Sequence, residues 1–311
     1  MVFDTRIENV YVIDTNMFGF PHYQSCYLVE GKEVALIDTG LPSQVDKVRA
    51  GIQKHGFSLK DISRIFLTHC EHPDHAGNVG RFVQENPDIQ VYIHPEGLEY
   101  LTEPSIESEN RKKVMLSQMA ARFGEQIPVP TSHICFLKNG QTFNLGNNVR
   151  LKIMFTSGHQ PSGLIIFDEK NNGIFINDLV GNYFVDADFS LLLTPPRSDI
   201  IETKKLLQDL MKLQISHFYL GHYGITQNTK EVMERVLEGI KRIMDIAEKC
   251  VKEGKPEEIE QRVLDSKMPE LKKLILPRGQ ILYEYTRTEL VTHHSAYFAK
   301  YYMEKIGNKS N

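Results

Sequence analysis

Short apolar runs separated by polar turn residues dominate the first 225 residues of the chain. Some alternate between apolar and polar positions and others are wholly apolar, which is the pattern of strands with one or both faces buried. Asn-Gly and Gly-Asn-Asn sequences between the middle runs are turn signals. We predict strands within residues 7–14, 25–38, 65–67, 90–94, 131–137, 141–145, 149–155, 174–178 and 217–220.

Apolar residues at helical spacing predict helices at 43–55 and 79–85, between strands. Residues 97–101 and 107–123 show the same spacing and predict a helical insert over 95–124. After residue 225 the pattern is helical throughout, with helices predicted at 230–250, from 256 onward and at 286–306. We therefore predict one domain over 1–225 that includes the insert, and a C-terminal helical extension, 226–311, packed on the core.

Composition excludes some classes of protein. The net charge of -4 gives no reason to expect a nucleic-acid partner, and the hydrophobic content of 41% is enough for a large core. We expect no contact with a membrane, because no apolar run approaches membrane-spanning length and the start has no secretory pattern. Cys26, Cys70, Cys135 and Cys250 are scattered, so we expect a reducing, cytoplasmic location.

Candidate chemistry is concentrated just after the strand Ile65-Phe66-Leu67. The sequence there is Thr68-His69-Cys70-Glu71-His72-Pro73-Asp74-His75-Ala76-Gly77-Asn78. Imidazole, thiolate and carboxylate are the side chains that bind zinc or iron. Three histidines and two acids packed so closely favour a metal site on a loop between a strand and a helix, because clustered charge is costly to bury otherwise.

Three later residues and one earlier residue extend this pattern, each just after an apolar run. His159 lies in Gly158-His159-Gln160-Pro161-Ser162-Gly163, Asp178 ends the strand Ile174-Phe175-Ile176-Asn177, and His222 follows Gly221. Asp38 begins Asp38-Thr39-Gly40 after the third strand, where it could also form an Asx turn.

Together these motifs resemble the metallo-β-lactamase superfamily, whose signature is His-x-His-x-Asp-His after a strand that ends in Leu-Thr-His. The resemblance covers residues 7–225 and implies an α/β, four-layer αββα sandwich with the metal site at one edge between two sheets. It implies two divalent metal ions, with zinc favoured and iron as the alternative. The implied ligands are His69, His72, Asp74, His75, His159, Asp178 and His222. Asp178 corresponds to the aspartate that bridges both metals, Asp38 to a carboxylate supporting the ligands from behind, and Asp74 is also assigned to catalysis.

The chain carries one residue more than this signature between His69 and Asp74-His75, so three alignments are open. Counting back from Asp74 places the first two ligands on Cys70 and His72. Counting forward from His69 makes Glu71 an alternative ligand, as in the diiron, flavodiiron-like branch. We favour a bulged loop that uses His69 and His72, because it preserves His72-Pro73-Asp74-His75, and we expect Cys70 not to bind metal.

The resemblance implies a hydrolase that uses a metal-bridging hydroxide on an ester, thioester, lactone or phosphodiester of a small-molecule substrate. The alternative is a non-heme diiron protein that binds, senses or reduces dioxygen; a fold member that only binds a ligand is a third hypothesis. The insert could cap the site or simply pack on the sheet. The C-terminal helices could cover the site or form a homodimer interface, but we expect them to cover the core.

Overall fold

The computed structural model describes residues 7–105, 121–184 and 189–306 of the chain. Its first sheet has six strands in the order of the sequence. The first three strands are antiparallel neighbours, and the third to the sixth run parallel. They are β1 Val10–Asp14, β2 Ser25–Glu30, β3 Val34–Ile37, β4 Ile62–Phe66, β5 Gln90–Ile93 and β6 Ile134–Phe136.

The second sheet also has six strands, in the order β14-β13-β10-β9-β8-β7. Only the central pair β10–β13 is parallel. A separate two-stranded hairpin, β11–β12, lies between β10 and β13 in the sequence. The strands are β7 Thr142–Gly146, β8 Val149–Phe155, β9 Leu164–Asp168, β10 Gly173–Asn177, β11 Asn182–Phe184, β12 Phe189–Leu191, β13 His217–Leu220 and β14 Ile225–Thr226.

The two sheets pack face to face over an apolar core. Tyr27, Phe66, Phe175 and Tyr219 are buried between them. The Tyr27 hydroxyl, on the first sheet, lies 2.6 Å from the carbonyl oxygen of Leu220 on the second. This hydrogen bond ties the sheets together next to the end of β13, where we expected a metal ligand.

Helices cover the outer face of each sheet because each carries one apolar stripe. Val48, Ile52, Phe82 and Val83 pack on the first sheet. The helices of this layer are α1 Val45–Lys54, α2 Pro73–Ala76, α3 Val79–Glu85 and α4 Leu98–Thr102. The predicted helix over 107–123 falls mostly on residues 106–120, which lie outside the described part of the chain.

The second sheet is covered by α5 and by the C-terminal helices. Their bounds are α5 Ile200–Leu210, α6 Thr229–Lys252, α7 Ile259–Leu274, α8 Gln280–Tyr285, a π-helix Thr286–Thr292 and α9 His293–Lys305. Val232, Val236 and Ile240 of α6 pack against Ile174 and Phe218 of the sheet. The four-layer αββα sandwich with C-terminal helices is thereby confirmed, although the division into 1–225 and 226–311 remains a prediction.

Aromatic residues join the C-terminal helices to the loop after β1. The Phe18 ring lies 5.1 Å from that of Tyr285 and 5.5 Å from that of Phe123, the end of the predicted insert. In the same apolar cluster, Tyr23 lies 5.2 Å from the ring of His222. The C-terminal helices therefore reach the surroundings of a predicted ligand. Among the described residues, none of the helices combines the length and the apolar composition needed to cross a bilayer.

Candidate metal centre

The predicted ligands lie on loops that leave one edge of the two sheets. His69, His72, Asp74 and His75 follow β4, His159 follows β8, Asp178 follows β10 and His222 follows β13. The Thr68 carbonyl oxygen accepts the Leu164 amide at 2.8 Å, which joins the first sheet to the second at this edge. The seven side chains form three groups in which ligand atoms lie within 4.8 Å of one another: His69, His72 and His159; His69, His75 and Asp178; and Asp74, His75 and His222.

The first group consists of imidazoles only. The ring of His69 lies 5.2 Å from that of His72 and 5.1 Å from that of His159. Among the described residues, both ring nitrogens of His69 and of His159 are buried without a hydrogen-bond partner. Burial lowers the pKa of His69 well below its usual range and that of His159 to about 3. Both rings are therefore neutral at neutral pH, the form that binds a metal, and their unpaired nitrogens fit a cation.

Asp178 lies between the two ends of the site. Its Oδ2 is 3.4 Å from Nε2 of His75, 3.6 Å from Nε2 of His222 and 3.8 Å from Nε2 of His159. Burial opposes its charge, but the nearby His75 and His222 hold the pKa of Asp178 well below its usual value. Asp178 is thus a carboxylate between imidazoles of both groups, which is the placement a bridging ligand requires.

Asp74 completes the other end of the site. Its Oδ2 lies 3.7 Å from Nε2 of His75 and the same distance from Nε2 of His222. This end therefore contains two carboxylates and two imidazoles, whereas the first group is entirely nitrogen. Burial opposes the protonation of His75, but Asp178, Asp74 and Asp38 together raise its pKa well above the usual value.

Two of the imidazoles, those of His75 and His222, are oriented by hydrogen bonds at Nδ1. Oδ2 of Asp38 lies 2.8 Å from Nδ1 of His75, and Asp38 also accepts the amide and the hydroxyl of Thr68 at 2.8 and 2.7 Å. The Tyr23 carbonyl oxygen lies 2.7 Å from Nδ1 of His222, so this nitrogen must donate. In both rings Nε2 faces the carboxylates. Hydrogen bonds to Nδ1, such as those to Asp38 and to the Tyr23 carbonyl, fix the tautomer of a metal-binding imidazole.

Glu71 points away from these groups. One carboxylate oxygen accepts the Ser162 amide at 2.9 Å, and the other accepts the Ser162 hydroxyl and, at 3.1 Å, the Cys70 amide. Neither Glu71 nor Cys70 belongs to any of the three groups found among the described residues. A methyl group added to Gly97 would lie 2.5 Å from the Cys70 sulfur, so the thiol faces the start of α4. Burial raises the pKa of Cys70 well above its usual value, so its thiol stays protonated.

Two residues of the Gly158-His159 loop, Ser162 and Gln160, contact residues of the loop after β4. Ser162 binds Glu71, and the Gln160 amide nitrogen lies 2.9 Å from Nε2 of His72. Both residues lie within the motif Gly158-His159-Gln160-Pro161-Ser162-Gly163, but the sequence of this motif does not predict that they contact Glu71 and His72. Two further histidines lie apart from the centre. His94 accepts the Glu96 amide at 3.1 Å, and His217, at the start of β13, contacts the Asn171 carbonyl at 3.3 Å.

The chain is similar to several known proteins. The chain is 24% identical over 163 residues to the flavo-diiron protein FprA2 of Clostridium acetobutylicum, a match covering 52% of this chain and 35% of that protein. The chain thus spans about a third of the length of this curated relative. A metallo-beta-lactamase family protein from Thermus thermophilus shares the fold with a TM-score of 0.65 and 18% identity, covering 96% of this chain and 94% of that one.

Rubredoxin oxygen:oxidoreductase from the anaerobe Desulfovibrio gigas is also similar in fold, with a TM-score of 0.51 and 14% identity. That match covers 76% of this chain and 60% of the other. The family model described as the metallo-beta-lactamase superfamily matches residues 19–222, from the loop after β1 to the last predicted ligand. The resemblance inferred from the motifs is confirmed: the chain belongs to the metallo-beta-lactamase superfamily.

Proposed function

We propose that this protein is a dinuclear metal-dependent hydrolase that cleaves an ester, thioester, lactone or phosphodiester of a small molecule. The proposed ligands are His69, His72 and His159 for one ion and Asp74, His75 and His222 for the other, with Asp178 between them. Zinc is the favoured metal. A cytoplasmic location agrees with the four cysteines, all of which are free.

One observation carries this proposal: His72, and not Glu71, stands with His69 and His159. A site of three imidazoles suits zinc well, whereas a carboxylate in place of one imidazole would favour iron. Because Glu71 is held by Ser162 and the Cys70 amide, its oxygens already have partners. The ion held by His69, His72 and His159 would therefore have three nitrogen ligands, which supports the bulged alignment.

Two divalent ions bound there would lower the pKa of a water molecule and polarise the bond to be cleaved. The residues of the chain would do the remaining work. Asp38 and the Tyr23 carbonyl hold His75 and His222 in one tautomer. Asp74 has a side chain that is 11% exposed, against 2% for Asp178. We assign to Asp74 the task of orienting the attacking water and accepting its proton, because it is the more accessible of the two carboxylates.

The second candidate is a non-heme diiron protein that binds, senses or reduces dioxygen. Its support is the sequence match to flavo-diiron protein FprA2, which includes no more than about half of this chain. Under this alternative Glu71 would have to leave Ser162 and replace His72 as a ligand.

Metal analysis of protein purified without added metal, with an optical spectrum, separates the two candidates. Two equivalents of zinc and no visible absorbance support the hydrolase, and a screen of ester, lactone, thioester and phosphodiester substrates then defines the reaction. Two equivalents of iron with near-ultraviolet oxo-diiron bands would support the alternative and exclude the favoured interpretation. Protein without stoichiometric metal would point to a ligand-binding member of the fold.

A further inference from the structure

A buried lysine in the C-terminal helices has no partner among the residues that the structure describes. Lys267 lies on α7 in the inward-facing line Val263, Lys267, Leu271 and is 8% exposed. Among the described residues, its Nζ has neither a hydrogen-bond acceptor nor an ion pair. An ammonium group that is buried without a counter-charge is costly, so its environment is incomplete as it stands.

The charge on this group persists at neutral pH. Burial, and to a lesser extent the neighbouring Arg242, lower the pKa of Lys267 to about 8. Most of the lysine is therefore protonated at pH 7. No carboxylate of the described residues acts on it to offset that charge.

A cavity of about 260 Å³ adjoins this lysine, between β12, α6 and α7. Lys267, Arg235 and Arg242 line it with two acids, Glu238 and Glu270. Each acid is already paired: Arg235 with Glu238 and Arg242 with Glu270, both at 3.2 Å. Among the described residues that line the cavity, three cations against two carboxylates leave one positive charge in excess, and Lys267 is the group that carries it.

The helix α6 leaves this space open. Gly239 lines the cavity in the middle of the helix, where glycine costs about 1 kcal/mol relative to alanine. Among the described residues, a methyl group added to Gly239 would meet no atom outside its own helix within 4 Å, so close packing does not account for the glycine. Its lack of a side chain instead preserves room in the cavity.

We propose that this cavity is a second binding site, distinct from the metal centre, for a small anion bearing a phosphate or carboxylate group. The anion would pair with Lys267 and take a further contact from Arg242. The lysine can meet a ligand in the cavity because its four-carbon stem is flexible. The volume fits a small molecule, since cavities for drug-sized ligands begin at about 300 Å³. The site does not depend on the proposed hydrolase activity.

Thermal denaturation in inorganic phosphate, in succinate and in chloride, at one ionic strength, tests this site. Phosphate or succinate far above its Kd should raise the Tm of the wild-type protein by roughly 5 °C relative to chloride, and comparison of the two identifies the preferred group. Lys267→Met should fold, because it removes a buried charge, and should lose this shift. Lys272→Met, an exposed position on the same helix, should keep it.

Gly239→Leu gives an independent test, since it fills the cavity and leaves Lys267 itself unsubstituted, and it should also reduce the shift. Metal content is measured for every variant, because phosphate could also bind at the metal centre. A shift that survives in both Lys267→Met and Gly239→Leu would belong to the metal centre and overturn the proposal. So would the absence of any anion-dependent shift in the wild-type protein.

Discussion

Glu71 accepts the backbone amide of Ser162 at 2.9 Å, although 91 residues separate them in the chain. The Ser162 hydroxyl binds the same carboxylate and also accepts the Cys70 amide at 3.0 Å. This contact joins the loop after β4 to the loop after β8, and these two loops carry His69, His72 and His159. The inserted residue of the first loop is thus accounted for: Glu71 turns toward the neighbouring loop while His72 turns toward the other imidazoles.

Ser162→Ala tests whether this contact positions the two loops. The substitution leaves a buried carboxylate oxygen with one donor fewer, so we expect a loss of about 1–3 kcal/mol in the free energy of unfolding. Metal affinity should fall because the loops separate, yet both equivalents should still bind at saturation. Urea denaturation and chelator competition measure the two effects. Ser63→Ala, at a half-buried hydroxyl on β4, is the control and should change neither.

Asp38→Asn tests whether the hydrogen bond between Asp38 and Nδ1 of His75 orients this imidazole for metal binding. The amide is a weaker acceptor for Nδ1 of His75 and can present its NH2 group instead, which would favour the wrong tautomer. We expect metal affinity to fall by roughly 10–100-fold, with the overall fold retained. Chelator competition measures the affinity, and circular dichroism checks the fold. Unchanged affinity would mean that Asp38 serves only its two hydrogen bonds to Thr68.

Cys70→Ser should retain both metal equivalents, because the thiol faces Gly97 and stays protonated. Some stability should be lost, since a hydroxyl is harder to bury than a thiol. Metal analysis of the purified variant gives the answer. The loss of one equivalent would instead support the alignment in which Cys70 and His72 are the first two ligands.

The pKa of His159 predicts how the metal-free protein responds to acid. An unfolded histidine titrates near pH 6.5, whereas buried His159 titrates at about 3, so the unfolded state binds more protons between these values. Stability contributed by the neutral ring is therefore present above about pH 6.5 and is lost as the pH falls toward 3. From pH 6.5 to 5 this single group should cost about 2 kcal/mol.

Urea denaturation of chelator-treated protein at the two pH values measures this loss. His159→Gln has no ring to titrate, so its stability should fall less steeply than that of the wild-type protein. Ser63→Ala, which changes no titratable group, should keep the wild-type slope. Equal slopes for wild type and His159→Gln would contradict the burial of a neutral His159.

Much of this fold could be predicted because local pattern and tertiary structure agree. The strands ending before Thr68, Asp178 and His222 are apolar runs, and a ligand placed just after such a run is carried to the sheet edge. The alignment of the first loop could not be decided this way. The directions of Glu71 and His72 depend on Ser162 and Gln160, which are remote in sequence.

The C-terminal helices show a related limit. Their apolar spacing predicts α6 and α9, and Val232 and Phe298 are buried as that spacing requires. Lys267 breaks the rule, because it is a charged residue on the buried line of α7. Helical periodicity predicts that a lysine lies on the surface. The burial of Lys267 is therefore seen from the packing of α7 against its neighbours and not from the sequence. The helical insert over 95–124 remains a prediction for residues 106–120.

Metal content of wild type, His72→Gln and Glu71→Gln tests the central claim most directly. His72 stands with His69 and His159, whereas the oxygens of Glu71 bind Ser162 and the Cys70 amide. We therefore predict two equivalents of zinc in the wild-type protein, one in His72→Gln and two in Glu71→Gln. If His72→Gln keeps two metals while Glu71→Gln loses one, Glu71 is the ligand and the diiron interpretation replaces the hydrolase.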